Sequence, residues 1–409
     1  MRLLLADRLP QQALVDLEAR GHDCVMEPGL SADDLPARIV GFDALVVRST
    51  RVRREVFEAA DRLALVIRAG AGTNTIDTDA AATRGVLVSN VPGRNAVAVA
   101  ELTMGLLLAI DRRIADNVAD LRHGQWDKQR YSKANGLLGS TMGILGLGSI
   151  GLAVAERAAG FGIQLQSLAK PGRAEHVAAR AEELGVTMCE TLPQLLSSSD
   201  IVTLHVPACE DTRHMVDADF LGQMKNGAIL LNTSRGDVID EAALLEALDA
   251  GAVRAGLDVF ADEPGFGQGP WDSPLGRHPE VVATHHIGAS TEQAQHAIAA
   301  GVTEIVEAFV AGEARDCVNL DPSRLGSVTL TVRHLDRVGV LAQVLDRLRT
   351  EGLNVEHMEN RVFRGGQAAV ASIDVAGETS AALLTALREI PHVLGVSEVE
   401  LREGGERGR

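Results

Sequence analysis

The chain lacks most of what would place it outside the cell or on a polyanion. Only four cysteines stand in 409 residues, at positions 24, 189, 209 and 317, with neither a C-x-x-C nor a metal-ligand spacing among them. That argues against a disulfide framework and a zinc site, and it fits reduced thiols used mostly for packing. No uninterrupted apolar run is long enough to span a bilayer, and the opening Met1-Arg2-Leu3-Leu4-Leu5-Ala6-Asp7 is too short in its apolar part for a secretory signal. Basic residues are outnumbered, 39 against 56 acidic ones for a formal net charge of −17, so neither nucleic acid nor an anionic membrane is an expected partner. The expectation is a cytoplasmic protein without a metal.

What the chain does have is length and apolar content. Its 409 residues, 46% of them hydrophobic, exceed one typical domain and predict two or three. Short apolar runs at 3–6, 44–48, 63–67 and 86–89 read as strands, with helix-period segments at 13–20 and 54–60 between them. This is the βα alternation of a parallel α/β sheet. A single long helix is predicted over 95–122 as a connection between two lobes. Alternation resumes at 163–168, 201–206, 228–233, 255–260 and 281–284, making a second α/β domain over 100–286. A helix over 291–311, with Ser290 as N-cap and Gly312 just past its end, is expected to return the chain to the first lobe. A polar linker is expected at 319–326. Beyond it, over 327–402, the order strand, helix, strand, strand, helix, strand reads as a ferredoxin-like βαββαβ module, ahead of a charged tail at 403–409 expected to fray.

The most informative motif runs from Met142 to Gly151, an apolar strand leading into Gly146-x-Gly148-x-x-Gly151 and then a helix pattern. The first glycine allows a tight turn, the second lets backbone approach a pyrophosphate, and the third lets helix pack on strand. The helix then presents free N–H groups to the anion. The reading is a Rossmann-type dinucleotide site; the alternative is a glycine turn that binds nothing.

Three later segments each follow an apparent strand, where open α/β sheets place their ligands: 232–236 with Arg235, 258–264 with Asp258 and Glu263, and 284–290 with His286. A converging arginine, carboxylate and histidine suit the interconversion of a 2-hydroxy acid and a 2-oxo acid. Arg235 would hold the substrate carboxylate, His286 would exchange a proton with the substrate oxygen, and Glu263 would orient the imidazole and favour its charged form. Taken singly, each also has a plain reading: a turn cap, a solvated loop acid, a satisfied buried histidine.

Together with 204–207 (Leu-His-Val-Pro) and 224–228 (Met-Lys-Asn-Gly-Ala), these segments resemble the D-isomer-specific 2-hydroxyacid dehydrogenase family over nearly the whole chain. The resemblance implies a Rossmann-type doubly wound cofactor domain, 100–286, inserted in a flavodoxin-like α/β substrate domain made of 1–99 and 287–318. It implies Arg235, Glu263 and His286 as the catalytic residues. On the cofactor it implies Gly146, Gly148, Ser149, Ile150, Gly151, Ala169, Lys170, His205, Pro207, Thr233 and Asp258, the last toward the nicotinamide carboxamide. It also implies an assembly of at least a dimer through the cofactor domain, dimer or tetramer being open.

Segments 47–50 (Val-Arg-Ser-Thr), 68–74 (Arg-Ala-Gly-Ala-Gly-Thr-Asn) and 90–95 resemble the branch of the family that converts D-3-phosphoglycerate to 3-phosphohydroxypyruvate, the first step toward serine. That likeness implies Arg48 at the substrate phosphate, with Ser49 beside it, and the backbone near Ala71 and Gly72 at the carboxylate. Alternatively, Arg48 pairs with a nearby acid. A reductase for hydroxypyruvate or glyoxylate, and a catalytically silent dinucleotide sensor, are the competing functions. The module at 327–402 resembles an ACT domain, implying an amino-acid effector near His334, Asp336 and Asn354, although an asparagine is usual where Asp336 stands; the other reading is a domain that only builds the oligomer.

The chain departs from the pattern in two further places. No acid ends the second strand of the cofactor domain, where one would accept from the ribose hydroxyls; Ala169-Lys170-Pro171-Gly172-Arg173 stands there, leaving NAD and NADP both open. His285 replaces a proline usual before the catalytic histidine, and either perturbs His286 or faces outward.

Overall fold

The structure is a computed structural model that describes residues 1–264, 269–320 and 326–400. It divides into two compact units, Met1–Asn319 and Leu320–Arg409.

The first unit contains two parallel sheets. Strands β1 (Arg2–Leu5), β2 (Asp23–Met26), β3 (Ala44–Val47), β4 (Leu65–Arg68) and β5 (Leu87–Asn90) lie in the order β2-β1-β3-β4-β5, the flavodoxin-like winding. Strands β6 (Thr141–Leu145), β7 (Gln164–Leu168), β8 (Thr187–Cys189), β9 (Ile201–Leu204), β10 (Ala228–Asn232), β11 (Val253–Leu257) and β12 (Val281–Ala283) lie in the order β12-β11-β10-β9-β6-β7-β8. Winding reverses between β6 and β9, the Rossmann arrangement, and ligands of such sheets collect at the strand C-termini beside that reversal. Runs such as Ala-Leu-Val-Val in β3 and Ala-Ile-Leu-Leu-Asn in β10 are buried throughout. Helices cover both faces of a parallel sheet, so its central strands need no polar side.

Edge strands β2 and β8 were not anticipated, because Asp-Cys-Val-Met and Thr-Met-Cys are short and lack a continuous apolar run. The long helix expected over 95–122 is two, Ala96–Asp111 and Ile114–Arg122, broken at Arg113, which is left-handed at φ 48°. The first half is apolar and packs on the second sheet's core through Met104, Leu106, Leu107 and Ile110. No residue of the second half is buried, so no core requires the chain to keep its direction. The Arg113 guanidinium meets Glu280 and Asp116 at the bend.

Helix Glu292–Val310 returns to the first sheet as expected, placing Ile298, Val302, Ile305 and Val306 against Leu3, Leu5, Val46 and Ile67. Its N-cap is Thr291 rather than Ser290. The Thr291 hydroxyl accepts from the Ala294 amide at 3.1 Å, while the Ser290 amide closes a turn onto Ile287 O at 2.8 Å. Gly312 follows the helix at φ +85°. Asn319, read as the start of a linker, is instead fixed by its side chain to the backbone of Val86 and Val88, both at 2.8 Å. Most of the expected linker, at 321–325, and the tail at 403–409 lie outside the described residues.

The second unit is a four-stranded antiparallel sheet, β13 (Val328–Leu335), β14 (Asn354–Val362), β15 (Ala368–Ala376) and β16 (Val393–Glu400), ordered β14-β15-β13-β16. Helices Val340–Thr350 and Ala381–Arg388 complete the βαββαβ order. They contribute Val344, Leu348, Leu383 and Leu387 to one core with Leu330, Val332 and Ile373.

Close packing between helix Ala96–Asp111 and β11 yields a stability prediction. A Cβ added to Gly256 would lie 2.8 Å from both Ile110 Cδ1 and Leu231 Cδ2. Gly256→Val is expected to lower unfolding free energy by about 1–3 kcal/mol, as overpacking of a filled core does, measured as a lower urea midpoint. An unchanged midpoint would show that this contact yields freely.

Candidate active site

Three strand-end turns of the second sheet build the site. After β10, the Asn232 side chain shapes the first. Its Oδ1 accepts from the Ser234 amide at 2.9 Å and hydroxyl at 2.7 Å, and its Nδ2 donates to Arg235 O at 2.8 Å. Arg235 then leaves in extended conformation with its guanidinium Nη1 donating to Ser234 O at 2.6 Å. Gly236 allows the turn to touch the Phe260 backbone, where a Cβ would overlap the carbonyl. The turns carrying Arg235 and Glu263 are thereby brought side by side.

After β11, Asp258 is fully buried. Its Oδ1 accepts from the Thr284 hydroxyl at 2.6 Å and the Ile287 amide at 2.9 Å, and its Oδ2 from the Gly288 amide at 2.9 Å. Its backbone carbonyl accepts from the His286 amide at 2.8 Å. Both carboxylate oxygens of Asp258, the residue the resemblance placed toward the nicotinamide carboxamide, accept from the 284–288 loop, which supplies three donors to a carboxylate shut away from water. What the residue positions is His286, which is held left-handed at φ 51°.

His286 Nδ1 and Glu263 Oε2 are 2.7 Å apart. Glu263 Oε1 also accepts from the Phe260 amide at 3.0 Å. Burial pushes the Glu263 carboxyl up, but the hydrogen bonds from His286 and Phe260 and the charges of His286 and Arg235 outweigh it, leaving it below the ordinary glutamate value. His285 is exposed, as is His286 beside it.

The first sheet supplies the opposite wall. Arg235 reaches the 70–74 loop so closely that a side chain on Gly72 would collide with its Nη2. The Ala71 carbonyl is fixed by Asn90 Nδ2 at 2.5 Å. Arg68, which was quoted only as part of a loop motif, is a site residue that the sequence reading missed. Its Nε is buried without a partner among the described residues, and its guanidinium is pulled down to about 10 by burial and by the charges of Arg235 and Arg48. Burial likewise lowers Arg235, with Glu263 opposing. Three arginines thus share one field. The Asp7 carboxylate accepts from the backbone amides of Arg48, Ser49 and Thr50 at 2.7, 3.1 and 3.0 Å and from the Ser49 hydroxyl. No ion pair to the Arg48 side chain exists among the described residues. Arg48 lines a cleft of about 410 Å³ with Pro10, Ser290, Thr291, Glu292, Gln295 and His296, so one acid shares the cleft with it.

The glycine loop meets the requirements of a dinucleotide. Gly146 at φ +99° lies against His205 O, and Gly151 lies against Gly146 O, so neither tolerates a Cβ. Gly148 faces open space, and the helix Ser149–Gly160 begins there without a side-chain cap, its first amides free for an anion. Behind the loop, His205 Nε2 meets the Thr203 hydroxyl at 2.9 Å while Nδ1 is buried and has no partner among the described residues. Burial pushes the ring down to about 3, so it stays neutral. Thr233, assigned to the cofactor, has its hydroxyl 2.9 Å from that of Thr103. Pro207 is exposed beside Cys209, which is itself exposed, unlike a packing cysteine.

In the second unit, the His334 ring is buried, with Nδ1 on Leu335 O at 2.8 Å and Nε2 on Asn360 Oδ1 at 3.2 Å. Asn354 donates to Glu356 at 2.7 Å, and Asp336 is exposed.

The family model for the NAD-binding domain of D-isomer-specific 2-hydroxyacid dehydrogenases matches residues 104–288, which span the glycine loop, Arg235, Glu263 and His286. A Thermus thermophilus protein of known structure is 33% identical and superposes with a TM-score of 0.67, over 78% of this chain and all of its own. The chain belongs to the D-isomer-specific 2-hydroxyacid dehydrogenase family. The D-3-phosphoglycerate dehydrogenase of Methanocaldococcus jannaschii is 39% identical over 353 residues, 85% of this chain and 65% of that protein. The chain thus spans less than two thirds of the length of that relative. The Aquifex aeolicus D-lactate dehydrogenase, solved with NAD and lactic acid, is 25% identical with a TM-score of 0.67, over 78% of this chain and all of its own.

A carboxylate held below its free value adds stability above that value and loses it as pH falls through the depressed one. Comparing urea unfolding of wild type and Glu263→Gln should therefore show the largest difference above about pH 5 and a shrinking one below about pH 4. A difference that grew on acidification would contradict the pairing with His286.

Proposed function

We propose that this chain is a nicotinamide-dependent D-2-hydroxyacid dehydrogenase whose substrate is D-3-phosphoglycerate, converted reversibly to 3-phosphohydroxypyruvate. The observation that carries the substrate is the cluster of Arg48, Arg68 and Arg235 beside the His286–Glu263 pair, in which burial and the charges of Arg235 and Arg48 lower Arg68 against the opposing charge of Asp7. A substrate with a carboxylate at one end and a phosphate at the other supplies negative charge to it. The likeness to the Methanocaldococcus jannaschii enzyme supports the same choice.

A bound nicotinamide supplies the hydride acceptor, or the donor in reverse. The chain's own residues do the rest. Arg235 takes the substrate carboxylate in a two-pronged grip, next to the 70–74 backbone. His286, on the far side of its bond to Glu263, accepts the hydroxyl proton through Nε2 as the carbonyl forms. Glu263, kept ionised, fixes the tautomer and stabilises the imidazolium that results. Arg48, in the adjoining cleft, receives the phosphate, and Arg68 contributes charge between the two ends. We retain the division 1–99 with 287–318 for substrate and 100–286 for dinucleotide. We read 327–402 as a regulatory ACT-like unit for an amino-acid effector in a homo-oligomer.

A panel of oxo acids assayed with both nicotinamides tests the reading. Phosphohydroxypyruvate is expected to give the highest kcat/KM; preference for glyoxylate or hydroxypyruvate would replace the substrate assignment. His286→Ala should lower kcat by roughly 10²-fold or more with dinucleotide affinity retained. Arg48→Gln should raise KM for phosphohydroxypyruvate by about tenfold, the loss of one charge-assisted contact, and leave KM for hydroxypyruvate within about twofold.

A further inference from the structure

The end of β7 carries an inference that rests on the dinucleotide reading of the second sheet but not on the substrate. Strand β7 is the neighbour of β6, with Ile144 opposite Ser167, so its C-terminus stands beside the glycine loop. There a dinucleotide sheet meets the adenosine ribose, and an acid at this point accepts from the ribose hydroxyls. Ala169 occupies the position. Its amide donates to Cys189 O at 2.8 Å, which fixes the backbone between β7 and β8, and its methyl group offers no acceptor.

What the position offers instead is positive charge. Gly172, at φ +70°, turns the chain back on itself, and the half-buried Arg173 returns its Nη2 to Leu168 O at 2.8 Å. That contact parks the guanidinium over the strand end, with its remaining N–H groups uncommitted among the described residues. Lys170 is exposed, and neither it nor Arg173 makes an ion pair there. The acids on adjoining elements are Glu190, after β8, and Glu175, in the first turn of helix Glu175–Glu183. Both are exposed, and neither is bound to these two cations.

We propose that the chain is built for the dinucleotide bearing a 2′-phosphate, NADP, with Lys170 and Arg173 as the specificity-determining residues that receive that phosphate. The unphosphorylated ribose finds no acceptor at Ala169, so NAD loses a hydrogen bond that the 2′-phosphate replaces with charge-assisted ones.

Calorimetric titration of the full chain with 2′,5′-ADP and with 5′-AMP tests this without any substrate. Wild type is expected to bind 2′,5′-ADP at least about tenfold more tightly, with the margin falling as salt rises. The double change Lys170→Ala with Arg173→Ala should erase the margin while keeping 5′-AMP affinity, which also reports an intact fold. Ala169→Asp should reverse the preference. Equal binding by wild type, or a margin that survives the double change, would overturn the proposal. Failure here leaves the substrate reading standing, and a failed oxo-acid panel leaves this one standing.

Discussion

The buried carboxylate of Asp258 holds the site together. A charge removed from water is costly unless its lone pairs are filled, and here the donors come from one short loop, through Thr284, Ile287 and Gly288. Satisfying Asp258 therefore dictates the course of the chain as it leaves β12. Gly288 is squeezed between this carboxylate and Val99, 3.1 and 3.3 Å from where its Cβ would stand. The start of helix Ala96–Asp111 and the start of the return to the first sheet thus meet at the same carboxylate. His286, the Arg235 turn beside it and the wall formed by the first sheet inherit their relative positions from that meeting.

The cationic wall is a second constraint of the opposite kind. Arg48, Arg68 and Arg235 raise one another's energy, and the depressed Arg68 guanidinium reflects both their repulsion and its own burial. In a chain of net charge −17, acids to neutralise them are plentiful, yet Asp7 faces backbone amides and Glu263 is shared with His286. The surrounding packing keeps the charges together, and an anionic ligand relieves them. Such a site is organised before anything binds.

Fold class was legible because its signals are redundant. Runs like 201–204 and 228–232 are apolar enough to require burial on both sides, and glycines 146, 148 and 151 have no simpler reason for their spacing. The turn at Arg113 was not legible. The helix pattern continues across it, and only the absence of a core beneath Ile114–Arg122 shows that direction is free to change. At the candidate site, His286 and Glu263 are singled out by their place after strands, and the structure brings them within 2.7 Å of each other. Arg68 was passed over because nothing local marks it, its meaning depending on Arg235, distant in sequence. Asp258 and His334, read as ligand contacts, also make internal hydrogen bonds, a use that residue type and spacing do not reveal.

His286 occupies a backbone region that side-chain-bearing residues enter at a cost of about 1–2 kcal/mol. Glycine or asparagine would sit there more comfortably, so on the proposed mechanism what keeps an imidazole at this position is its chemistry rather than its fit. On the function proposed above, the most stable version of this chain is not the one that works, and selection for thermal robustness alone would drift toward a well-folded protein with an empty-handed site.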